Sequence, residues 1–204
     1  MKQKVIQLAG PGGEKEALLE STRVLAEGGV VLFPTETVYG LGGDGANPSV
    51  VEKIYRIKSR SGDKPLVRLL ADQAEISQML TEDGPAVLLR KYWPGPLTVI
   101  LRRPGGATCG YRLPGHHFVR RMIEESGVEM VATSANRSGE PAITDAAAAC
   151  HEFGGRVDLI IDGGRVSGSA STVLDLSVSP PRILREGPVT RAEIEACLGY
   201  KVEL

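Results

Sequence analysis

The chemistry of this 204-residue chain is organised around Lys58-Ser59-Arg60-Ser61-Gly62-Asp63-Lys64-Pro65-Leu66. Three cations fall within seven residues there, loosened by Ser-Gly-Asp and stopped by Pro65 before an apolar run. The pattern predicts a helix end, a mobile cationic loop at the edge of a sheet, and then a strand. Such a loop can hold a polyanion, although most charge runs of this kind are solvated turns. A second stretch argues for the site. Val131-Ala132-Thr133-Ser134-Ala135-Asn136-Arg137-Ser138-Gly139 carries an apolar strand straight into a loop of small polar residues. Two strand-end loops of complementary chemistry point to one site.

The elements that must position these loops follow from periodicity and punctuation. Residues from about Glu14 to Glu27 form an amphipathic helix stopped by Gly28-Gly29, and Val30 to Phe33 form a strand buried on both faces. Thr35 to Gly45, with hydroxyls, the carboxylates of Glu36 and Asp44 and four glycines, reads as a loop that lets backbone approach a ligand closely. Asn47-Pro48 opens a helix whose buried face is Val50, Val51, Ile54 and Ile57; Lys58 and Arg60 in or beyond its last turn also suit the helix dipole. A strand over 65–70 and helices around 72–80 and 85–92 come next. Trp93-Pro94-Gly95-Pro96 turns into the strand 97–101, with 108–113 returning beside it. Helix 118–126, strand 128–133, an alanine-rich helix capped by Thr144, and strands at 157–161, 171–176 and 182–185 complete the body. Thr190 with Glu193 makes a capping box for the last helix. The fold class is α/β with a twisted mixed parallel and antiparallel sheet, in one domain.

Composition narrows the partners. A formal net charge of −1 excludes a protein coated in phosphate-binding charge, so any nucleic-acid role needs a local basic patch. No run reaches signal-peptide or membrane-span character, and Cys109, Cys150 and Cys197 are odd in number and far apart. Reduced, packing cysteines imply a cytoplasmic protein.

Several chemistries are missing. Gly10-Pro11-Gly12-Gly13-Glu14-Lys15 lacks the Gly-Lys-Ser/Thr ending of a P-loop, and no Gly-x-Gly-x-x-Gly follows a strand with a ribose-binding acid at the right distance. His116, His117 and His151 have no metal-ligand spacing with the cysteines, and no serine has an evident histidine partner. What remains is a positioning site: Thr35, Thr37, Lys58, Arg60, Lys64, Arg112, Ser134, Asn136, Ser171 and Arg185, nearly all at element ends. Cations at the end of a sheet neutralise phosphates, which phosphoryl or nucleotidyl transfer needs, with alignment and a metal ion.

The chain resembles the YrdC/Sua5 family of threonylcarbamoyl-adenylate synthases from about Gly13 to Leu198. The resemblance is carried in order by Phe33-Pro34-Thr35-Glu36-Thr37-Val38-Tyr39-Gly40-Leu41, Lys58-x-Arg60 with Lys64-Pro65-Leu66, and Trp93-Pro94-Gly95-Pro96-Leu97-Thr98. Arg112-Leu113-Pro114, Thr133 to Gly139, Ser171-Thr172-Val173 and Ile183 to Gly187 continue it. It implies a YrdC-like fold with a cationic concave site, in the short form without the C-terminal domain of the longer Sua5 type. The reaction implied takes L-threonine, bicarbonate and ATP with Mg²⁺ to L-threonylcarbamoyl-adenylate and pyrophosphate. A downstream threonylcarbamoyl transferase system then modifies an adenosine of tRNA. By family position, Arg60, Lys64, Thr108, Ser134 and Arg185 contact ATP, with Lys58 and Asn136 completing the catalytic polar cluster. Thr35, Arg112, Ala132 and Ser171 line the threonine site, Arg112 being suited to the carboxylate.

Three positions depart from the family pattern. Leu69 stands where some members carry a threonine-contacting histidine, Ala142 where a hydroxyl is often found, and Ser61 where many have proline. Two other readings stay open. One is a module binding tRNA or double-stranded RNA, weighed against the absence of interleaved aromatics. The other is a paralogue that adenylates a different carbamate.

Overall fold

A computed structural model describes residues 4–59, 65–80, 83–137 and 140–204 of the chain. The elements run in the order β1 (Lys4–Gln7), α1 (Gly13–Ala26), β2 (Val31–Phe33), β3 (Gly40–Asp44), α2 (Pro48–Lys58) and β4 (Val67–Leu69). A 3₁₀ helix (Gln73–Met79) and α3 (Asp83–Tyr92) lead to β5 (Leu97–Arg102), β6 (Thr108–Arg112), α4 (His117–Ser126) and β7 (Met130–Ser134). The chain closes with α5 (Ala146–Phe153), β8 (Leu159–Asp162), β9 (Thr172–Asp175), β10 (Arg182–Arg185) and α6 (Arg191–Leu198).

All the strands join one mixed sheet, ordered β1-β8-β2-β3-β7-β4-β6-β5-β9-β10. Pairing is parallel at β1/β8, β2/β8, β4/β6 and β5/β9, and antiparallel at the other junctions. The short strand β2 shows why its sequence is uniformly apolar. Val31 and Phe33 face the core under α1 and α4, while Leu32 faces the core under α2 and α5 with Ile160. A third core beneath α3 and α6 joins Leu97, Val99 and Tyr111 to Leu174 and Ile183. Strands covered on both faces read as continuous hydrophobic runs, as expected.

Helix ends follow the capping residues. Asn47 accepts from the Ser49 amide with Pro48 at the first turn, and the Thr190–Glu193 capping box is complete. One cap differs from expectation: Asp145, not Thr144, accepts the Ala148 amide at the start of α5. Asp145 is the residue immediately before the first helical turn, the position from which a side chain reaches the third amide.

The largest correction concerns Thr35–Gly45, expected to be a loop throughout. Gly40–Asp44 is instead a central strand, with β2 on one side and β7 on the other. Its glycines are there for closeness, since a Cβ on Gly42 would come within 2.5 Å of the Val131 carbonyl oxygen, and one on Gly40 within 2.8 Å of the Phe33 ring. The Gly-x-Gly-x-x-Gly spacing of Gly40–Gly45 therefore lies within and at the end of a strand, not in a strand-to-helix phosphate turn. Strand β1 was not anticipated either; only Ile6 of its four residues is buried, so it has no apolar run to announce it. Val51, expected on the buried face of α2, is half-buried.

Among the described residues, no helix is long and apolar enough to cross a membrane. The three cysteines are free and half-buried.

Candidate active site

A cavity of about 600 Å³ opens over the ends of β4, β6 and β7. Thr35, Thr108, Arg112, Ala132, Ser134, Ser171 and Arg185, all expected at the site from sequence, line it together. Lys58 and Asn136 lie just behind Ser134. Arg60 and Lys64 fall outside the described residues, as does the core of the expected cationic loop. The strand that follows this loop, β4, lies between β7 and β6 in the middle of the sheet and not at its edge.

The far end of β7 is fixed by backbone. Ala135 N–H donates to the Tyr39 carbonyl at 2.7 Å, Tyr39 N–H to Ile143 O at 3.0 Å, and Ile143 N–H back to Ala135 O at 2.9 Å. On that frame, Ser134 Oγ donates to Asn136 Oδ1 at 2.6 Å, and Asn136 Nδ2 donates to the carbonyls of Arg137 and Glu140 at 2.9 and 2.7 Å. Lys58, expected at the site in or just beyond the last turn of its helix, is 1% exposed. Its Nζ donates to Ser134 O and, at 3.2 Å, to Asn136 Oδ1. A buried ammonium needs oxygens around it, and these two come from the last residue of β7 and the loop that follows it. The last turn of α2 is thereby fastened to the strand end that lines the cavity, and Ser59 closes the helix in a left-handed conformation at φ 48°.

Arg112, at the end of β6, is the other buried cation among the described residues. Nε donates to Gly95 O at 3.2 Å, and Nη2 donates to Glu36 Oε1 at 2.7 Å and Thr37 Oγ1 at 2.9 Å. Burial pushes the Glu36 carboxyl up, but the Arg112 charge and the hydrogen bonds around it prevail and hold it below its ordinary value. The rigid Trp93–Pro96 turn that offers Gly95 O is held by Trp93 Nε1 donating to Leu97 O at 2.7 Å and by Gly95 N–H donating to Leu113 O at 2.8 Å.

Across the cavity, Arg185 Nε and Nη2 donate to Ser171 O and Oγ at 3.0 and 3.2 Å, and Ser171 Oγ lies 2.9 Å from Thr98 Oγ1. Burial lowers the pKa of Arg185, and the like charge of Arg112 lowers it further. The lining therefore presents two mutually repelling guanidiniums and, among the described residues, no carboxylate. An anion between them relieves that repulsion. Thr35, by contrast, spends its hydroxyl within its own turn, donating to Val38 O at 2.6 Å and lying 2.9 Å from Thr37 Oγ1.

Sequence reasoning missed Thr98 and the pairing of Glu36 with Arg112. Thr98 had a usable signal, a hydroxyl inside the apolar run Leu97-Thr98-Val99-Ile100-Leu101. The ion pair had none, because its partners lie 76 residues apart. Leu69 also lines the cavity, in register with Arg112 across β4 and β6, and makes that wall apolar. No group of three or more His, Cys, Asp or Glu side chains among the described residues is arranged to hold a metal ion.

Residues 23–187 match the family model Sua5_yciO_yrdC, described as "Telomere recombination". The chain is 40% identical over 198 residues to the threonylcarbamoyl-AMP synthase of Bacillus subtilis, covering 89% of this chain and 56% of that protein. Its fold matches Pyrococcus abyssi Sua5 complexed with L-threonine at a TM-score of 0.89, with 33% identity over 98% of this chain and 63% of that one. Escherichia coli YciO gives a TM-score of 0.81 with 25% identity, covering 91% of this chain and 96% of that one. The chain spans little more than half the length of the Bacillus protein.

Proposed function

Since the chain belongs to the Sua5/YciO/YrdC family, we propose that it condenses L-threonine, bicarbonate and ATP into threonylcarbamoyl-AMP and pyrophosphate. The threonine amine takes up carbon dioxide from bicarbonate as a carbamate, with net release of one water. A carbamate oxygen attacks the α-phosphorus of ATP, the bond to the β-phosphate oxygen breaks, and pyrophosphate leaves. The observation that carries this reading is the lining itself, with two arginines, several hydroxyls and, among the described residues, no carboxylate over about 600 Å³. Such a volume suits a nucleotide or an amino-acid-sized ligand pair. Arg185 neutralises phosphate oxygens, and Arg112 receives the threonine carboxylate. Mg²⁺ enters as part of the ATP substrate, because the described lining residues offer it no carboxylate ligands.

The test is pyrophosphate release from MgATP and bicarbonate, with and without L-threonine. Release that depends on threonine and falls at least about a hundredfold in Arg185→Ala supports the reading, a loss of the size expected for one charged transition-state contact. Release indifferent to threonine overturns it. A panel of other amino acids then reads the consequence of the apolar Leu69 wall.

A further inference from the structure

The direction of the Arg112 guanidinium is set from one flank. Nε is taken by Gly95 O and Nη2 by Glu36 Oε1 and Thr37 Oγ1, and among the described residues Nη1 has no acceptor. A planar, delocalised fork with one flank occupied can receive a carboxylate at the terminal nitrogen that is left. Arg112 is a cavity-lining residue, whereas Glu36 is not. The Glu36 carboxylate thus stands behind Arg112, outside the lining.

We propose that Glu36 is a positioning residue for amino-acid binding, acting through Arg112 and not on the reacting atoms. The proposal rests on the function assigned above, in which Arg112 receives the substrate carboxylate. The seat of Glu36 is closely built. A Cβ on Gly115 would come within 3.0 Å of Glu36 Cδ and 3.1 Å of its Cγ, so the side chain lies against bare backbone there. Oε2 is buried, and the backbone amides of Gly115 and Glu36 favour the charged carboxylate. What this seat secures is the aim of one guanidinium. Ser167 reinforces it, since its hydroxyl lies 3.0 Å from Glu36 O and 3.1 Å from Thr37 O, steadying the backbone that carries both acceptors.

This arrangement separates Glu36 from a general base. A base must reach the proton it abstracts. Glu36 is instead engaged by a guanidinium that holds it ionised. Its contribution belongs to threonine binding, with no share in ATP binding or in the chemical step.

The experiment measures kcat and the KM values for L-threonine and ATP in wild type, Glu36→Ala and Glu36→Gln. In Glu36→Ala the threonine KM is expected to rise about tenfold or more, the scale of one lost charge-assisted hydrogen bond, with kcat and the ATP KM within about twofold. Glu36→Gln keeps an acceptor oxygen for Nη2 and is expected to recover most of the affinity. A fall in kcat at unchanged threonine KM overturns the proposal in favour of a chemical role. Parallel increases in both KM values overturn it in favour of a purely structural one.

A second readout does not need the activity. The ¹⁵N guanidinium resonance of Arg112, assigned by its loss in Arg112→Lys, is expected to show restricted rotation in wild type and Glu36→Gln and averaged rotation in Glu36→Ala. Unchanged rotation in Glu36→Ala overturns the positioning role even if the protein proves to act on another substrate. Restricted rotation without threonine-dependent turnover leaves the positioning role standing and removes the assigned reaction.

Discussion

Lys58 and Arg112 are both buried cations beside one cavity, and they are held by different kinds of oxygen. The Lys58 ammonium rests on a main-chain carbonyl and a side-chain amide, Ser134 O and Asn136 Oδ1. The Arg112 guanidinium rests on a carboxylate, a hydroxyl and a carbonyl, all on one flank. An ammonium is a compact point charge that ties together whatever oxygens surround it, whereas a guanidinium has a plane and so a direction. Lys58 thereby fastens α2 to the end of β7, and Arg112 is aimed. The difference separates a residue that builds the cavity wall from one that presents donors within it.

The comparison is broken most severely at Lys58. Lys58→Met leaves the half-buried Ser134 carbonyl without its cation and Asn136 Oδ1 with the Ser134 hydroxyl as its remaining donor, and the expected loss of stability is about 2 kcal/mol. Urea unfolding measures it, and a loss below about 1 kcal/mol would mean that the fastening is not structural. Arg112→Lys tests the opposite property. Charge is kept and the fork is lost, so kcat/KM for threonine is expected to fall about a hundredfold while stability changes less than in Lys58→Met. Equal stability losses in the two variants would erase the distinction. Thr37→Val is a milder form of the same test. It removes one neutral acceptor from Nη2, and the threonine KM is expected to rise about fivefold with kcat unchanged.

The two cations were legible in the sequence to different depths. Lys58 and the Ser134–Asn136 stretch stood out as strand-end and helix-end chemistry of one site, but the helix dipole and the Ser-Gly-Asp run said nothing of how deeply Lys58 is buried. Its burial depends on the loop after β7, which no local pattern reports. Arg112 was legible as an anion-binding group, since it ends a strand. Its tie to Glu36 was not, being long-range and set by the path of Thr35–Val38 past the Trp93–Pro96 turn. The strand β3 was hidden for a related reason. Its glycines lower strand propensity, and they are required only because β2 and β7 press against it from both sides. Patterns with one apolar face were readable, and positions defined by what lies across the sheet were not.

The smallest expected effect is also the one that separates the two tethers by chemistry. Neither of the oxygens named for Lys58 titrates, whereas the Arg112 tether includes a carboxylate. Glu36 is held below the ordinary 4.5 in the folded chain, despite the opposing effect of burial, by the Arg112 charge and local hydrogen bonds. A carboxyl with a depressed folded pKa binds fewer protons when folded than when unfolded. Its contribution to stability is therefore fully present above 4.5 and disappears as pH falls through the folded value. Glu36→Gln is accordingly expected to be slightly less stable than wild type at neutral pH and to converge with it on acidification below 4.5. Urea unfolding of both proteins across that range measures the gap. A gap that persists unchanged in acid would mean that the carboxylate charge contributes nothing to holding Arg112, leaving only the acceptor oxygen that glutamine also provides.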